Sequence, residues 1–299
     1  MMEIDIPDTF VEERTRIAGT QGHQWIAGIP ALVERLCERW DLRLDSESPR
    51  HGANSLVLSA RRRVDGAPCV LKVCQPPETT VTEAIGLRAW AGRGVVRLLD
   101  AWTDDGALLL ERLDAGRSLA DVELLPAAEL AGALLRRLTM PAPPGIPRLA
   151  DIGTEIAETV WPRQRALGGP LPGPWVDLAA RTARDLAADA GESLVHADLH
   201  YGNVLAGTRE PWLAIDPRPV AGDPEYSVPE LMWTRIDEAA EPADVRDLLT
   251  ALADAGGLDR DRARAWTVVR AVDYWLWGLG IGLTEDPVRC RRLVGTLAG

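Results

Sequence analysis

The feature that most constrains the fold is a change in hydrophobic pattern near residue 113. Before this point, short apolar runs separated by turn residues predict two β-hairpins, 55–62 with 67–74 and 95–104 with 107–113, and a helix over 78–92 between them. Beyond it, apolar residues recur at helical spacing in seven segments. These segments are 126–139, 150–167, 174–190, 228–238, 243–255, 259–282 and 286–297. The chain is therefore predicted to adopt an α+β fold.

This pattern predicts two lobes, a small β-rich N-terminal lobe and a larger helical C-terminal lobe. We expect the first lobe to span residues 1–113, a linker to span 114–121, and the second lobe to span 122–299. A further helix, over 29–40, is predicted in the first lobe with Pro30 near its start. A ligand site is expected in a cleft between the two lobes.

Composition narrows the classes of partner. The formal net charge of -12 argues against a nucleic acid or an anionic membrane as partner and favours a small cationic molecule. The four cysteines show no metal-site spacing, which argues against a zinc site and a disulfide framework. The chain begins without a signal-peptide pattern and has no apolar run of about 18 residues. We expect a monomer in the reducing cytoplasm.

The densest chemical signal lies between positions 196 and 216. Asp198 is followed five residues later by Asn203, and Asp216 follows the apolar run 212–215. Phosphoryl transfer to a hydroxyl group needs a carboxylate that accepts the proton, together with oxygen ligands for Mg²⁺. The spacing matches the catalytic-loop pattern of protein kinases, although the residue after Asp216 is Pro217 instead of Phe. Each residue alone also fits an ordinary polar turn, but the ordered set favours a kinase.

The second signal is Lys72 on an apolar strand. Strand alternation places Val70, Lys72 and Cys74 on one face. A buried lysine needs a carboxylate partner, and Glu83 on the following helix is favoured over Glu78. Such a pair would hold the amine against nucleotide phosphates. The alternative is an edge-strand lysine that points to water.

Other parts of a nucleotide site are less distinctive. Residues 49–55 could cover phosphates with backbone N–H groups, although they contain one glycine where protein kinases have three, and a surface turn is the alternative. Val57 and Val70 would then face an adenine. The backbone groups of Glu111 and Leu113 would bind the edge of the adenine, although an ordinary strand end also accounts for these residues.

Several stretches resemble the aminoglycoside phosphotransferases, and within them the streptomycin 6-phosphotransferase or hydroxyurea-resistance kinase branch. The stretches are QWIAGIPALVERLCERW, EAIGLRAW, GVVRLLDAW, LLLERLDAGRSLA, HADLHYGNVLAG and REPWLAIDPRPVAGDP. The resemblance implies a bilobal protein-kinase-like fold and ATP-dependent phosphorylation of a hydroxyl group. It assigns Asp198 as catalytic base, Asn203 and Asp216 as Mg²⁺ ligands, and Lys72 as the phosphate-binding residue.

The sequence departs from the family pattern at one position. Three residues after Pro224, where the family commonly has an aspartate that braces the catalytic loop, this chain has Ser227. The phosphate chemistry is expected to be intact, whereas the bracing of the loop is expected to differ.

The resemblance implies a streptomycin-like acceptor, which carries guanidinium groups. Its pocket should offer carboxylates and flat aromatic faces. The candidates in the helical lobe are Glu230, Trp233, Asp237, Asp273, Trp275 and Trp277. The alternative is that the tryptophans form core and the acids face water. Two other functions stay open, a kinase for a different hydroxyl compound and a nucleotide-binding module without catalysis, but the intact catalytic set argues against the second.

Overall fold

The computed structural model describes residues 4–75 and 78–298. The chain divides into two compact units, one formed by Met1–Gly92 and Val96–Leu113 and the other by Arg93–Val95 and Asp114–Gly299. The first unit is built around a sheet, and the second is mainly helical. None of the described helices is long and apolar enough to cross a membrane.

Among its described residues, the first unit contains a six-stranded antiparallel sheet and two α-helices. Its elements are α1 (Asp8–Arg39), β1 (Leu42–Leu44), β2 (Arg50–His51), β3 (Ser55–Arg62), β4 (Pro68–Cys74), α2 (Glu78–Trp90), β5 (Leu98–Trp102) and β6 (Ala107–Glu111). The strand order is β1-β3-β4-β6-β5, and β2 also pairs with β3. The two predicted hairpins are confirmed as β3–β4 and β5–β6, whereas the short strands β1 and β2 were not predicted.

One face of this sheet forms the core of the first unit. Along β3, Leu56 and Leu58 are buried and alternate with residues that are partly exposed, as expected for a strand with one face covered. These leucines share a hydrophobic cluster with Leu71 of β4 and with Ile29 and Leu36 of α1. Burying each large aliphatic side chain contributes about 1.5–3 kcal/mol, so α1 is an integral part of this unit.

Helix α1 is longer than the predicted helix 29–40. Pro30 lies inside it instead of near its start, and the backbone departs from helical geometry at Gly19, where φ is 54°. A proline inside a helix removes one hydrogen bond, and the buried Ile26 and Ile29 hold the chain in place across this position. Tertiary packing therefore overrides the local start signal.

The second unit contains seven α-helices among its described residues. They are α3 (Leu124–Leu138), α4 (Leu149–Ala166), α5 (Gly173–Ala188), α6 (Val228–Trp233), α7 (Pro242–Gly256), α8 (Arg260–Gly280) and α9 (Glu285–Leu297). Each corresponds to a predicted segment. The prediction for 228–238 was too long, because α6 ends at Trp233 and a 3-10 turn at Ile236–Glu238 follows.

Short strands in the second unit frame the predicted catalytic segment. They are β7 (Asp114–Ser118), β8 (Ser193–Val195), β9 (Val204–Ala206), β10 (Trp212–Ala214) and β11 (Val220–Gly222). Their pairing orders are β10-β9-β7 and β11-β8. Residues 114–121, expected to be a linker, have regular structure because the backbone of β7 pairs with β9 and a 3-10 turn follows at Leu119–Asp121.

Candidate active site

Two loops of the second unit are joined by backbone and side-chain hydrogen bonds. The first connects β8 to β9, and the second connects β10 to β11. The N–H of Ile215 donates to the carbonyl of Asn203 at 2.8 Å, and the N–H of Arg218 donates to the carbonyl of His196 at 2.9 Å. The Nε2 atom of His196 lies 3.0 Å from the carbonyl oxygen of Ile215, to which it donates. These bonds hold the Asp198 loop beside the Asp216 loop.

Both loops contain a non-glycine residue in the left-handed backbone region. Ala197, directly before Asp198, has a φ of 53°, and Asp216 itself has a φ of 55°. Such conformations cost on the order of 1–3 kcal/mol and persist where the surrounding structure fixes them. The hydrogen bonds between the loops supply that constraint, so the directions of Asp198 and Asp216 are set by the fold.

The Asn203 side chain is oriented by the Asp198 backbone. Its Nδ2 donates to the Asp198 carbonyl oxygen at 2.9 Å, and the residue is buried. Because the amide nitrogen is used in this bond, the amide oxygen points in another direction. That oxygen is therefore available as an acceptor or as a metal ligand.

Asp198 lies among both positive and negative groups. Its Oδ2 is 3.1 Å from Nε of Arg218. Burial raises the pKa of the Asp198 carboxyl group, Arg218 opposes this effect, and the negative charges of Glu230 and Asp216 add to it. A raised pKa makes a carboxylate a stronger base, as general-base catalysis requires. Burial also lowers the pKa of the neighbouring His200.

Glu230 connects Asp198 to a network of ion pairs on α8. Its carboxyl group is close enough to Asp198 to influence the pKa of that residue, and its Oε1 lies 3.3 Å from Arg270. Burial raises the pKa of Glu230, and Arg270 is the main group that lowers it. Arg270 also binds Asp273 at 2.9 Å, and Asp273 in turn pairs with Arg163 of α4. Ion pairs thus extend from Arg163 to Glu230, and the Glu230 carboxyl group lies beside the like-charged Asp198.

In the first unit, the predicted Lys72–Glu83 ion pair is confirmed. The Nζ of Lys72 donates to both carboxylate oxygens of Glu83, at 2.7 and 2.8 Å, and both residues are 4% exposed. The competing Glu78 is exposed at the first residue of α2. Lys72 is also the only lysine among the 33 basic Lys and Arg residues of the chain. A single lysine among so many arginines indicates a position where a compact ammonium group is preferred over a guanidinium group.

The predicted adenine-facing residues lie on the sheet around Lys72. Val57 is directly opposite Lys72 in the β3–β4 register, and Val70 is two residues from Lys72, so the three share one face. The N–H of Glu111 donates to the carbonyl of Arg97 at 2.9 Å. A contact with adenine through that N–H is therefore ruled out, and the prediction for Glu111 narrows to its carbonyl oxygen. Leu113 follows the last strand of the unit and is half-buried.

The comparison with protein families identifies the chain. Residues 39–282 match the family described as aminoglycoside/hydroxyurea antibiotic resistance kinase. The chain belongs to this family. The matched range includes the Lys72–Glu83 pair and both joined loops, and the description of the family makes this chain a kinase.

Named relatives agree with this assignment. A streptomycin 6-kinase of Streptomyces glaucescens is 42% identical over 95% of this chain and 94% of its own length. A hydroxyurea phosphotransferase of Kitasatospora aureofaciens is 40% identical over 96% of this chain and 84% of its own. Among solved structures, the aminoglycoside phosphotransferase APH(4)-Ia has a TM-score of 0.62 at 21% identity, and the match covers 91% of this chain and 100% of that one. The protein-kinase-like fold and the phosphotransferase class are therefore established for this kinase.

The residues predicted to bind the acceptor have different surroundings in this kinase. Both carboxylate oxygens of Asp273 bind arginines, Oδ1 binding Arg163 and Oδ2 binding Arg270, so Asp273 orients protein groups instead of offering a free carboxylate. Asp273 also lines a surface pocket of about 400 Å³ together with Glu155. The sequence analysis did not select Glu155 as a candidate. Asp237 pairs with Arg289 at 2.6 Å on the surface.

The aromatic candidates separate into core and surface. Trp233 and Trp275 are buried, whereas Trp277 is 46% exposed. Trp277 stacks on Tyr274 with ring centroids 5.2 Å apart, and Tyr274 stacks on Trp233 at 4.9 Å. The exposed ring at the end of this stack is a flat surface of the kind that binds a planar cation.

Three residues that shape the site were missed from the sequence. Arg218 contacts Asp198, Arg270 contacts Glu230, and Arg163 contacts Asp273. Arg218 has a local signal, since it follows Asp216 by two residues. The partners of Arg270 and Arg163 include residues 40 and 110 positions away in the sequence, which spacing alone does not reveal.

The buried Asp223 braces the region around Ser227. Ser227 is buried within the 3-10 turn Pro224–Ser227. Asp223 accepts hydrogen bonds from the N–H of Gly191 at 2.8 Å and from Nε1 of Trp266 at 2.7 Å. Asp223 also pairs with Arg262 at 2.7 Å. The carboxylate at position 223 therefore connects the end of β11 to α8.

The donor set beside Asp198 fits magnesium. Within residues 4–75 and 78–298, no group of three or more His, Cys, Asp or Glu side chains is arranged to hold a metal. Mg²⁺ does not require such a cage, because it is usually bound by one or two carboxylates, with waters and substrate phosphates completing the shell. The oriented amide oxygen of Asn203 and the carboxylate of Asp216 are oxygen donors of the type that Mg²⁺ prefers.

Proposed function

We propose that this kinase transfers the γ-phosphoryl group of ATP to the 6-hydroxyl of streptomycin. The observation that carries the proposal is the pair of joined loops that holds Asp198 beside Asn203 and Asp216. The choice of acceptor follows the streptomycin 6-kinases, which are 42% identical over almost the whole chain.

Asp198 acts as the base in this proposal. The acceptor oxygen attacks the γ-phosphorus, its proton passes to the Asp198 carboxylate, and ADP leaves with the electrons of the broken P–O bond. Burial raises the pKa of the Asp198 carboxyl group, which makes it a stronger base, and Arg218 acts in the opposite direction by favouring the ionised form. The Glu230 carboxylate next to it offers a second acceptor for the shared proton.

Asn203 and Asp216 would hold Mg²⁺, which neutralises charge on the phosphates when bound. The Asn203 amide is positioned for this role by its bond to the Asp198 backbone, and Asp216 by its fixed backbone conformation. In the first unit, Lys72 would bind a nucleotide phosphate while Glu83 holds its ammonium group in place. Val57 and Val70 would contact the adenine, together with the carbonyl of Glu111 and the backbone of Leu113.

The acceptor is proposed to be a cation with planar guanidinium groups. The exposed face of Trp277 suits stacking of such a group, and the Glu230 carboxylate lies next to the proposed base. Asp237 supplies further negative charge at the surface. The net charge of -12 favours the approach of a cation over that of an anion. We further propose that the enzyme works as a monomer in the cytoplasm, where ATP is abundant and where the free thiols of its four cysteines stay reduced.

The test is a panel of acceptors incubated with ATP and Mg²⁺. Streptomycin, kanamycin and hydroxyurea are compared for ADP formation, and the phosphorylated position is read by NMR. We expect turnover on streptomycin with phosphate at the 6-hydroxyl. Turnover on another compound without turnover on streptomycin would contradict the acceptor assignment while leaving the phosphotransferase class intact.

Hydroxyurea is the second candidate acceptor, because one relative of this kinase is named as a hydroxyurea phosphotransferase. The hydroxyurea phosphotransferase is nearly as similar, at 40% identity. Hydroxyurea is small and neutral, so it would gain little from the exposed Trp277 ring. Replacing Trp277 with alanine separates the two cases, because the change should weaken binding of streptomycin and leave use of hydroxyurea unaffected.

A further inference from the structure

The N-terminal half of α1 folds back against its second half. The reversal occurs at Gly19, where φ is 54° and ψ is -133°. Beyond it, a Cβ atom at Gly22 would lie 2.5 Å from the carbonyl oxygen of Arg14. Only glycine allows the two backbones to approach so closely. The result is that the Arg14 side chain is delivered to a fixed place in the first unit.

Arg14 is 5% exposed and binds two polar groups outside its own helix. One guanidinium nitrogen donates to the carbonyl of Ala53 at 3.1 Å, and the other donates to Oε1 of Gln75 at 2.9 Å. No carboxylate of the described residues forms an ion pair with Arg14. A buried arginine that binds a loop carbonyl and an amide, instead of an acid, is an expensive arrangement for stability alone.

Gln75 completes the attachment of the same loop. Its N–H donates to the carbonyl of Asn54 at 2.9 Å, and its side chain donates to the carbonyl of Gln21 at 3.3 Å. The loop is closed by a bond from the N–H of Gly52 to the carbonyl of Ser55 at 3.0 Å. We call Arg14 and Gln75 the loop clamp, because together they hold the carbonyl groups of the 52–55 loop toward the protein.

Holding a carbonyl inward turns the next N–H outward. In a planar trans peptide, the C=O of Ala53 and the N–H of Asn54 point in opposite directions. The Asn54 N–H therefore points away from Arg14. Successive N–H groups that point out of a turn form a site for anions such as phosphates.

The loop lies at the same end of the sheet as Lys72. Ser55 begins β3, and Val57, two residues further on, is paired with Lys72. Two residues of a strand span roughly 7 Å. Asn54 lies one residue further from Val57, a span of roughly 10 Å in all, so its N–H and the Lys72 ammonium group are within reach of one polyphosphate.

We propose that Arg14 is a positioning residue for ATP, acting through the clamped 52–55 loop. The inference rests on the proposed function, because it takes the anion to be the triphosphate of the nucleotide. It gives the N-terminal segment a role in positioning the nucleotide, whereas the sequence analysis assigned it no role. The clamp affects nucleotide binding and does not contact the acceptor.

The test compares Arg14→Met with Arg16→Met, a matched change at an exposed arginine of the same helix. We expect Arg14→Met to raise the KM for ATP about tenfold, the effect of losing one hydrogen bond to a charged group, while the KM for streptomycin changes less than about twofold. Arg14→Lys keeps the charge but not the two-pronged geometry, so it should restore part of the ATP affinity. Arg16→Met should match the wild type.

Binding of a non-hydrolysable ATP analogue, measured by calorimetry, gives the same comparison without an acceptor. This arm stands even if streptomycin proves to be the wrong substrate. If Arg14→Met is insoluble, Gln75→Ala takes its place, with an expected rise of about threefold in the KM for ATP. Unchanged ATP affinity in the soluble variants, or equal losses toward both substrates with a lowered unfolding temperature, would overturn the proposal.

Discussion

The two units stabilise their buried charged side chains in different ways. In the first, Lys72 and Glu83 form a bidentate pair whose side chains are 5% and 6% exposed. In the second, charge is spread over a network of acidic and basic side chains that reaches partly into water. Its members are Arg163, Asp273, Arg270, Glu230, Asp198 and Arg218.

The difference shows which property each arrangement can control. A dry pair fixes one group in one place, and removing either partner leaves a charge that water does not reach. A partly hydrated network of charged side chains tolerates the loss of one member, because the neighbouring charges and the solvent compensate for the missing charge. Its members instead adjust each other's pKa, which is the property that a catalytic base requires.

The largest effect on activity is expected at Asp198, the member of the charge network that is proposed to accept the proton. Asp198→Asn keeps the size of the side chain but removes the base, so kcat should fall about a thousandfold. Initial rates at saturating ATP and streptomycin measure the change. Asp261→Asn, at a surface carboxylate that is 94% exposed, is the matched control and should retain full activity. A loss of less than tenfold in Asp198→Asn would show that another group accepts the proton.

The dry pair should respond mainly in stability when it is broken. Lys72→Met leaves the Glu83 carboxylate buried, so the free energy of unfolding should fall by about 3–5 kcal/mol, and ATP use should be lost. The double variant Lys72→Met/Glu83→Leu should recover most of the stability but none of the activity. Denaturant unfolding measures the first property and turnover the second. If the double variant is as unstable as the single one, the cost comes from lost packing and not from the charge.

Changes in the charge network of the second unit should mainly alter the pH dependence of activity. Arg270 favours the ionised forms of Glu230 and Asp198, so Arg270→Met should raise the pKa of both carboxyl groups. The base is then ionised only at higher pH, and the acid limb of the kcat profile should move upward by about one pH unit. Arg264→Met on the same helix is the control. A profile that is unchanged, or that moves to lower pH, would separate Arg270 from the catalytic carboxyl groups.

The smallest effect is expected at the exposed end of the aromatic stack. Trp277→Ala removes a stacking surface for a guanidinium group, which should raise the KM for streptomycin about threefold to fivefold. The KM for ATP should stay the same. Val288→Ala, at an exposed apolar residue of α9, controls for a general surface change. Equal changes in both KM values would place Trp277 outside acceptor binding.

The sequence predicted the hairpins, the seven helices of the second unit and the catalytic loop because their signals are local. Asp198 and Asn203 are five residues apart, and Lys72 and Glu83 lie on consecutive elements, so chain geometry alone brings each pair together. The N-terminal part of α1 escaped prediction, since Gly19 and Gly22 interrupt an already polar segment. Its packing against the sheet, which the sequence does not show, stabilises it.

Long-range charge partners were the main gap in predicting the site. Glu230 and Asp273 were selected as acceptor ligands for their charge, yet Asp273 is occupied by Arg163 and Arg270. Whether a carboxylate binds a substrate or an internal arginine depends on tertiary contacts. In a chain with 33 basic residues, composition does not reveal which acids are already neutralised.

The solitary Lys72 gives the protein a built-in spectroscopic handle. Apart from the terminal amine, reductive methylation with ¹³C-formaldehyde can modify a single nitrogen in the whole chain, and that nitrogen is almost sealed from solvent by Glu83. Biosynthetic ¹⁵N-lysine would give one backbone and one ammonium resonance, without any need for assignment. Titrating nucleotides into such a sample would report changes in the surroundings of the Lys72 ammonium group through the shift of its single resonance.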